Sequence, residues 1–345
     1  MTSVLVTGGA GFFGGLLKER LLKDGGEVVG LDIVPDEARH PHLISVQGDI
    51  CDETLVGELF ARHKFEAVFH CAAVLAHAVK DKNFLWKSNV DGTRVLAEAA
   101  RRNGVRSFVF TSSNCLWGRG FGRPVREDDP PHPIEIYGRS KMAAEKILAG
   151  YTNDFAASII RCPTIIDEGR LGLLTILFDF IREGRKVWVV GDGGNRYQFI
   201  YAQDLADACL KAMRSGARAT FNIGSDNVKS LREVYQFVID RAASGARVAS
   251  LPKAPTLAAM RAAYLLGLSP LGPYQYKMIA EDFIFDTSKI KAALGWRPTL
   301  TNEEMLWKAY SYYTANAAEI ARRAQVSAHR QAAKMGIIRL LKWLS

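Results

Sequence analysis

Cysteine is scarce in this 345-residue chain: Cys51, Cys71, Cys115, Cys162 and Cys209 are scattered, odd in number and form no Cys-x-x-Cys pair. That pattern excludes a disulfide framework and a cysteine-based metal site, so no metal is expected and the thiols read as reduced, in a cytoplasmic setting. Long apolar runs are also missing. No stretch reaches the roughly 18 apolar residues needed to cross a bilayer. Met1-Thr2-Ser3 runs straight into Val4-Leu5-Val6, which does not have the layout of a secretory signal. There is no internal repeat and no low-complexity linker. Acidic residues are sparse at one end. From Glu319 to Ser345 six basic residues (Arg322, Arg323, Arg330, Lys334, Arg339, Lys342) meet one acid, so much of the net charge of +9 belongs to this tail. No aromatic stacking pattern accompanies it, and nucleic acid is not expected as a partner.

What is present is an alternation of strands and helices. Short apolar strands are expected at 4–7, 27–32, 43–46, 67–70, 107–112 and 156–161. Helices are expected from the glycine turn to about 23, at 89–102 before the Asn103-Gly104 stop signal, and at 136–151. Such alternation predicts an α/β fold, a Rossmann-type doubly wound parallel sheet. Residues 1–163 and about 197–225 are assigned to it. Residues 164–196 and 226–314 are expected to form a smaller, mostly helical substrate cap, and 315–345 a basic amphipathic tail.

Two clusters carry chemistry. In Tyr137-Gly-Arg-Ser-Lys141 a Tyr and a Lys stand four apart, on one face of a helix. An ammonium beside a phenol favours phenolate and brings the Tyr toward useful acid–base work. Upstream, Gly8-Gly-Ala-Gly11-Phe-Phe-Gly14 follows a strand and opens a helix. Glycines there allow a tight turn and let backbone N–H groups approach a pyrophosphate. Asp32 ends the second strand, where a carboxylate accepts both ribose hydroxyls and repels a 2′-phosphate, favouring NAD over NADP. A nicotinamide enzyme is the reading.

These pieces, with Gly48-Asp49-Ile50, His70-Cys-Ala-Ala73, Asn89-Val-Asp-Gly92-Thr93, Ser112-Ser113 and Asp286-Thr-Ser-Lys289, resemble the extended short-chain dehydrogenase/reductase family of NAD-dependent epimerases and dehydratases. The resemblance covers residues 3 to about 314. It implies that Gly8, Gly11, Phe12, Phe13 and Gly14 hold the cofactor, that Asp49 and Ile50 flank its adenine, and that Ala72 and Ala73 line it. It implies Tyr137 as proton donor and acceptor, and Lys141 as the residue that holds the nicotinamide ribose and lowers the Tyr137 pKa. Ser113, fixed over Ser112 by the following Leu116-Trp117-Gly118, would hydrogen-bond the reacting oxygen, with Asn89 in the fourth supporting position. His70 and His77 read as packing or loop histidines. Family members often pair, so a homodimer is compatible.

Departures narrow the reaction. Family dehydratases carry an acid soon after the Ser/Thr; here Asn114 and Cys115 stand there, which argues against dehydration. The Arg expected before Phe199-Ile-Tyr201 to grip a diphosphate is displaced, as Arg196. The Gly-x-Gly-x-Asn run at 191–195 and the apolar stretch at 257–268 look more like the branch acting on lipid alcohols. In the tail, Ile337, Leu341 and Leu344 share one side of a helix with Arg339 and Lys342 on another, as in an interfacial membrane helix. The expectation is therefore a ketoreductase or alcohol dehydrogenase acting on a lipid, an oxidised ceramide or a sterol-like 3-hydroxyl, and docked on an anionic membrane surface from the cytoplasm. The alternative is a nucleoside-diphosphate-sugar 4-epimerase with tightly held NAD.

Overall fold

The computed structural model describes residues 3–76, 81–269 and 271–320. His77 and the expected interfacial helix of the tail lie outside them. The chain begins β1 (Ser3–Thr7), α1 (Phe12–Lys23), β2 (Glu27–Asp32), β3 (Leu43–Gln47), α2 (Glu53–Arg62) and β4 (Phe65–His70). Then come α3 (Lys82–Trp86), a π-helical turn (Lys87–Asp91), α4 (Gly92–Arg102), β5 (Ser107–Ser113), a 3-10 turn (Asn114–Leu116), α5 (Ile136–Ala149) and β6 (Ala156–Cys162). The remainder is β7 (Thr164–Ile166), α6 (Leu174–Arg182), β8 (Lys186–Val190), β9 (Phe199–Tyr201), α7 (Ala202–Ser215), β10 (Ala219–Asn222), α8 (Leu231–Arg241) and β11 (Arg247–Leu251). It closes with α9 (Lys253–Leu265), α10 (Pro273–Met278), α11 (Ser288–Leu294), α12 (Asn302–Ala315) and α13 (Ala317–Ile320).

Seven strands form one parallel sheet in the order β10-β6-β5-β4-β1-β2-β3. Central strands are buried on both faces, which is why they read as near-continuous apolar runs. Alternate residues feed two cores. Val4, Val6, Phe69, Val109 and Ile160 pack with Leu17 and Leu21 of α1 and with Leu205 and Cys209 of α7. Leu5, Val68, Phe108 and Phe110 pack with Val56 and Leu59 of α2, Leu96 of α4 and Ala144 and Leu148 of α5. This is the Rossmann-type α/β fold, with a helical C-terminal region.

Two smaller parallel pairs, β8 with β11 and β7 with β9, lie outside the main sheet. A third core joins Phe178 of α6, Val234 and Val238 of α8, and Leu306 and Tyr310 of α12. The chain thus returns to the main sheet through β10, which pairs with β6, while β9 stays with β7. The apolar stretch at 257–268 forms most of α9 but does not line an interior. Of α9 only Ala263 is buried, and Leu265 and Leu266 are 72% and 73% exposed.

Candidate active site

Strand order reverses beside β1, where β2 lies on one side and β4 on the other; ligands of such sheets bind at the carboxyl ends of the strands flanking this point. Thr7 and His70 are the paired last residues of β1 and β4. Beyond them Gly8 has φ +72°, and a Cβ there would come within 2.8 Å of the Ala72 nitrogen. A Cβ on Gly14 would sit 2.1 Å from the Gly8 carbonyl oxygen. Helix α1 therefore starts hard against the turn. Its N-cap, Gly11, has no side chain to offer the first helical N–H groups, which leaves them available to an anion. Phe12 and Phe13 are buried and anchor that end.

Asp32 is fixed at the rim of the same crevice. One carboxylate oxygen accepts the Ala10 N–H at 3.0 Å and the other the Val34 N–H at 3.1 Å. Gly48 donates its N–H to the Asp32 carbonyl, so Asp49 and Ile50 follow directly beside it. Ile50 is buried against Gly92. Ala73 is exposed and Ala72 half-buried, and Ala72 donates its N–H to the Thr7 hydroxyl at 3.3 Å. These features fit a dinucleotide: an open helix terminus for its pyrophosphate and an anchored carboxylate at its ribose. His70 is fully buried between the Thr7 hydroxyl on Nδ1 (2.7 Å) and the Thr93 hydroxyl on Nε2 (3.0 Å). Burial, then the charge of Lys141, lowers its pKa to about 3, so it is a neutral packing residue.

The second half of the site stands at the end of β5. The Ser113 hydroxyl stands near the phenol of Tyr137 and donates to the Asn114 side-chain oxygen at 3.4 Å. The Ser113 hydroxyl also accepts the Cys115 N–H at 3.1 Å. Ser112, pointing to the other face of the sheet, donates instead to Glu145. A Cβ on Gly138 would fall 2.1 Å from the Cys115 carbonyl oxygen, so α5 presses directly on the turn after β5. Lys141 donates from Nζ to the Thr111 carbonyl at 2.8 Å and lies 4.5 Å from the Phe110 ring centre but 6.0 Å from that of Tyr137. Burial pulls its pKa down to about 8. The expected lowering of Tyr137 by Lys141 is not what this geometry gives. Burial outweighs other influences and pushes the phenol well up, opposed by the nearby Ser113 hydroxyl and by Arg170.

Asn89 lies in the π-helical turn, a distortion that often marks functional positions. Its side chain bonds both backbone groups of Val74 (2.7 and 3.0 Å) and donates to the Ser140 hydroxyl at 3.0 Å, which in turn donates to the Tyr137 carbonyl at 2.8 Å. It ties the loop after β4 to α5 and does not touch the Tyr137 phenol in this arrangement.

Sequence reasoning missed Arg170, Tyr197, Tyr274 and Glu135 here. Arg170 stands between Gly169 (φ +75°) and Gly172 (φ +60°), with its guanidinium 5.9 Å from the Phe12 ring and near Tyr137. The glycines were the available signal. Asn114 donates to the Tyr197 hydroxyl at 2.7 Å, and Tyr197 meets the Tyr274 hydroxyl at 3.3 Å. The Tyr274 N–H donates to Glu135 at 2.6 Å. This polar chain joins α10 to the site, and nothing in the local sequence announces it. Burial also raises the Cys115 thiol to about 12, so neither of the two residues after Ser113 can serve as a base.

Comparison with known proteins is consistent with this geometry. Residues 4–224 match the NAD dependent epimerase/dehydratase family. An uncharacterized protein, y4nG, of Sinorhizobium fredii is 37% identical over 99% of this chain and 86% of its own length. A UDP-glucose 4-epimerase of Mycolicibacterium smegmatis is 31% identical over 90% of this chain and 97% of its own. The structure of a UDP-glucose 4-epimerase from Thermotoga maritima with UDP-glucose superposes with a TM-score of 0.76 over 92% of this chain and 100% of that one, at 24% identity, a likeness of fold alone.

These relatives overturn the expected lipid ketoreductase, because the named ones are sugar-nucleotide 4-epimerases. Packing and turn geometry account for the two features among the described residues that suggested a lipid. The outward leucines of α9 do not form an apolar lining. In the 191–195 run Gly191 and Gly193 have φ +71° and +75°, and Asn195 donates to the Ile279 and Glu281 carbonyls, so this run builds a turn. Among the described residues no helix is long and apolar enough to cross a membrane.

Proposed function

Since the chain belongs to the NAD dependent epimerase/dehydratase family, we propose that it is a nucleoside-diphosphate-sugar 4-epimerase that keeps NAD bound through turnover. The observation that carries the reading is the 31% identity with a UDP-glucose 4-epimerase across 90% of this chain. The nearness of Ser113 to Tyr137 at the crevice supports it. So does the chemistry of the two residues after Ser113. The Asn114 amide is engaged with Tyr197 and the Cys115 thiol stays protonated, so neither removes the proton that a dehydration requires.

Gly8, Gly11, Phe12, Phe13 and Gly14 hold the pyrophosphate, and Asp32 the adenine-side ribose. Asp49, Ile50, Ala72 and Ala73 border the cofactor. When bound, NAD supplies a reversible hydride acceptor for the sugar C4. Burial keeps the phenol protonated in the free chain, so Tyr137 would take the proton of the 4-hydroxyl and return it only where the positive nicotinamide of bound NAD favours its phenolate. Ser113 orients that oxygen, and Lys141, held by the Thr111 carbonyl, binds the nicotinamide ribose. Asn89 fixes the start of α5. The residues 164–196 and 226–314 provide the sugar-nucleotide side of the pocket.

The test is incubation of the purified full chain with UDP-glucose and no added cofactor. The expected result is conversion to the C4 epimer, with NAD released on acid denaturation. A cofactor-free preparation that leaves UDP-glucose, UDP-glucuronate and UDP-xylose unchanged, with or without added NAD, refutes the reading.

A further inference from the structure

Behind the Ser113–Tyr137 pair lies a buried polar cluster that the epimerase chemistry does not use. Ser112 donates to one carboxylate oxygen of Glu145 at 2.5 Å. Arg161 donates to Glu145 from Nε (3.0 and 3.3 Å) and from Nη2 (2.7 Å), and from Nη1 to the Glu127 carbonyl at 2.8 Å. Its guanidinium lies 5.1 Å from the ring centre of fully buried Trp117. Ser112, Glu145 and Arg161 are 2%, 7% and 7% exposed.

The cluster links the three elements whose relative position sets the site. Ser112 precedes Ser113 on β5, and Arg161 faces Ser112 across the β5–β6 register. Glu145 lies one helical turn beyond Lys141 and two beyond Tyr137 on α5. Alongside the Lys141–Thr111 bond, the Ser112–Glu145 bond is a polar side-chain tie between β5 and α5. A buried ion pair is a poor source of stability, since desolvation offsets most of the Coulomb gain and apolar residues of equal volume often do as well. Its presence directly behind the reacting groups therefore calls for a reason besides stability.

We propose that Ser112, Glu145 and Arg161 form a clamp of positioning residues that sets the height of Tyr137 and Lys141 on α5 against Ser113 on β5. The consequence for catalysis rests on the epimerase reading; the consequence for cofactor binding does not. With one end of α5 pressed on the Cys115 carbonyl at Gly138, the clamp fixes the helix further along. Loosening it lets the phenol and the ammonium shift together while the fold stays intact. Misplacement of reacting groups by about 1 Å is enough to cost up to roughly a hundredfold in rate.

The test uses the full chain with Ser112→Ala, which leaves the Glu145–Arg161 pair in place, and Ser112→Thr, which keeps a hydroxyl. For Ser112→Ala the expected result is a kcat lower by about tenfold with an unchanged KM for UDP-glucose, and NAD bound roughly fivefold more weakly. Ser112→Thr should restore both to within about twofold or threefold of the native protein. A kcat and NAD affinity for Ser112→Ala equal to those of the native chain overturn the clamp, and so does an equal loss in Ser112→Thr. If the native chain converts no sugar nucleotide, the epimerase reading fails, and NAD affinity alone decides: weakening restored by Thr supports the clamp, and no change refutes it.

Discussion

Around the ends of β1, β2, β4 and β5, Thr7, Asp32, His70, Asn89, Ser113 and Glu145 each make at least two hydrogen bonds; in contrast α9, thirteen residues long, buries one side chain and leaves its last residue, Leu265, and the following Leu266 exposed. The first region uses its residues to fix side chains through paired hydrogen bonds. The second uses them to make a helix. The difference fits the roles proposed for the two regions. If Tyr137 transfers the proton as proposed, a shift of its phenol would cost rate, and the pinned strand ends beside it would limit that shift. A substrate cap, as proposed for this region, would need only to shape a pocket, and many helical sequences do so.

The largest way to break this contrast is Tyr137→Phe. It removes one oxygen from a well-held ring, and the loss of a general acid–base group lowers kcat by about 10²–10⁴-fold. Bound NAD should be unchanged, because Lys141 keeps its bond to Thr111. Single-turnover conversion of UDP-glucose measures the effect. Full activity in Tyr137→Phe would remove the proton-transfer assignment.

Next in size is a pH effect at the pinned edge. His70 is held neutral with its pKa lowered from 6.5 to about 3, by burial first and by Lys141 second. Between those values the unfolded chain binds a proton that the folded chain refuses, so stability rises with pH through this window. It is lost as pH falls below 6.5. At about pH 5 the cost is about 2 kcal/mol. Urea unfolding at about pH 7 and pH 5 measures it, and His70→Gln should flatten the difference. An equal pH dependence in the variant would assign the acid lability to other groups.

Asp32→Asn comes third. Losing charge-assisted bonds at a ribose costs on the order of 1.5 kcal/mol, roughly tenfold in NAD affinity. Because Asn no longer repels a 2′-phosphate, NADP binding should change less, and the two affinities should converge. Titration of the cofactor-free protein with each nucleotide reads this directly. A parallel loss for both would mean that Asp32 serves only the turn, through its bond to Ala10.

The same contrast explains what was legible in the sequence. β1, β2, β5 and β6 stand out in it because parallel strands covered on both faces are apolar throughout. The glycine turn stands out because Gly8 and Gly14 are sterically forced. Short elements escape: β7 has three residues, and α2 buries only Val56, Leu59 and Phe60, too little period to be seen. At the site, motif residues announce themselves by spacing. The Asn114–Tyr197–Tyr274 chain joins positions up to 83 residues apart, and no spacing rule finds such partners. The lipid expectation failed because apolar character at 257–268 does not distinguish an inner lining from an outward face. The periodicity of α9 is ambiguous, and only its packing shows where its leucines point.

The smallest effect tests that point. Leu266 caps the end of α9 at 73% exposure, so Leu266→Gln removes little apolar surface from contact. Exposed substitutions of this kind change stability by about 0.5 kcal/mol or less. Melting temperature and the KM for UDP-glucose should both stay near their native values, since no group tied to Ser113 or Tyr137 is disturbed. If KM instead rises severalfold, α9 closes on the sugar nucleotide during turnover, and the cap is as exacting as the sheet edge. If the melting temperature falls with KM unchanged, the exposed leucines are covered in solution by another surface, and the loose region has a partner that holds it.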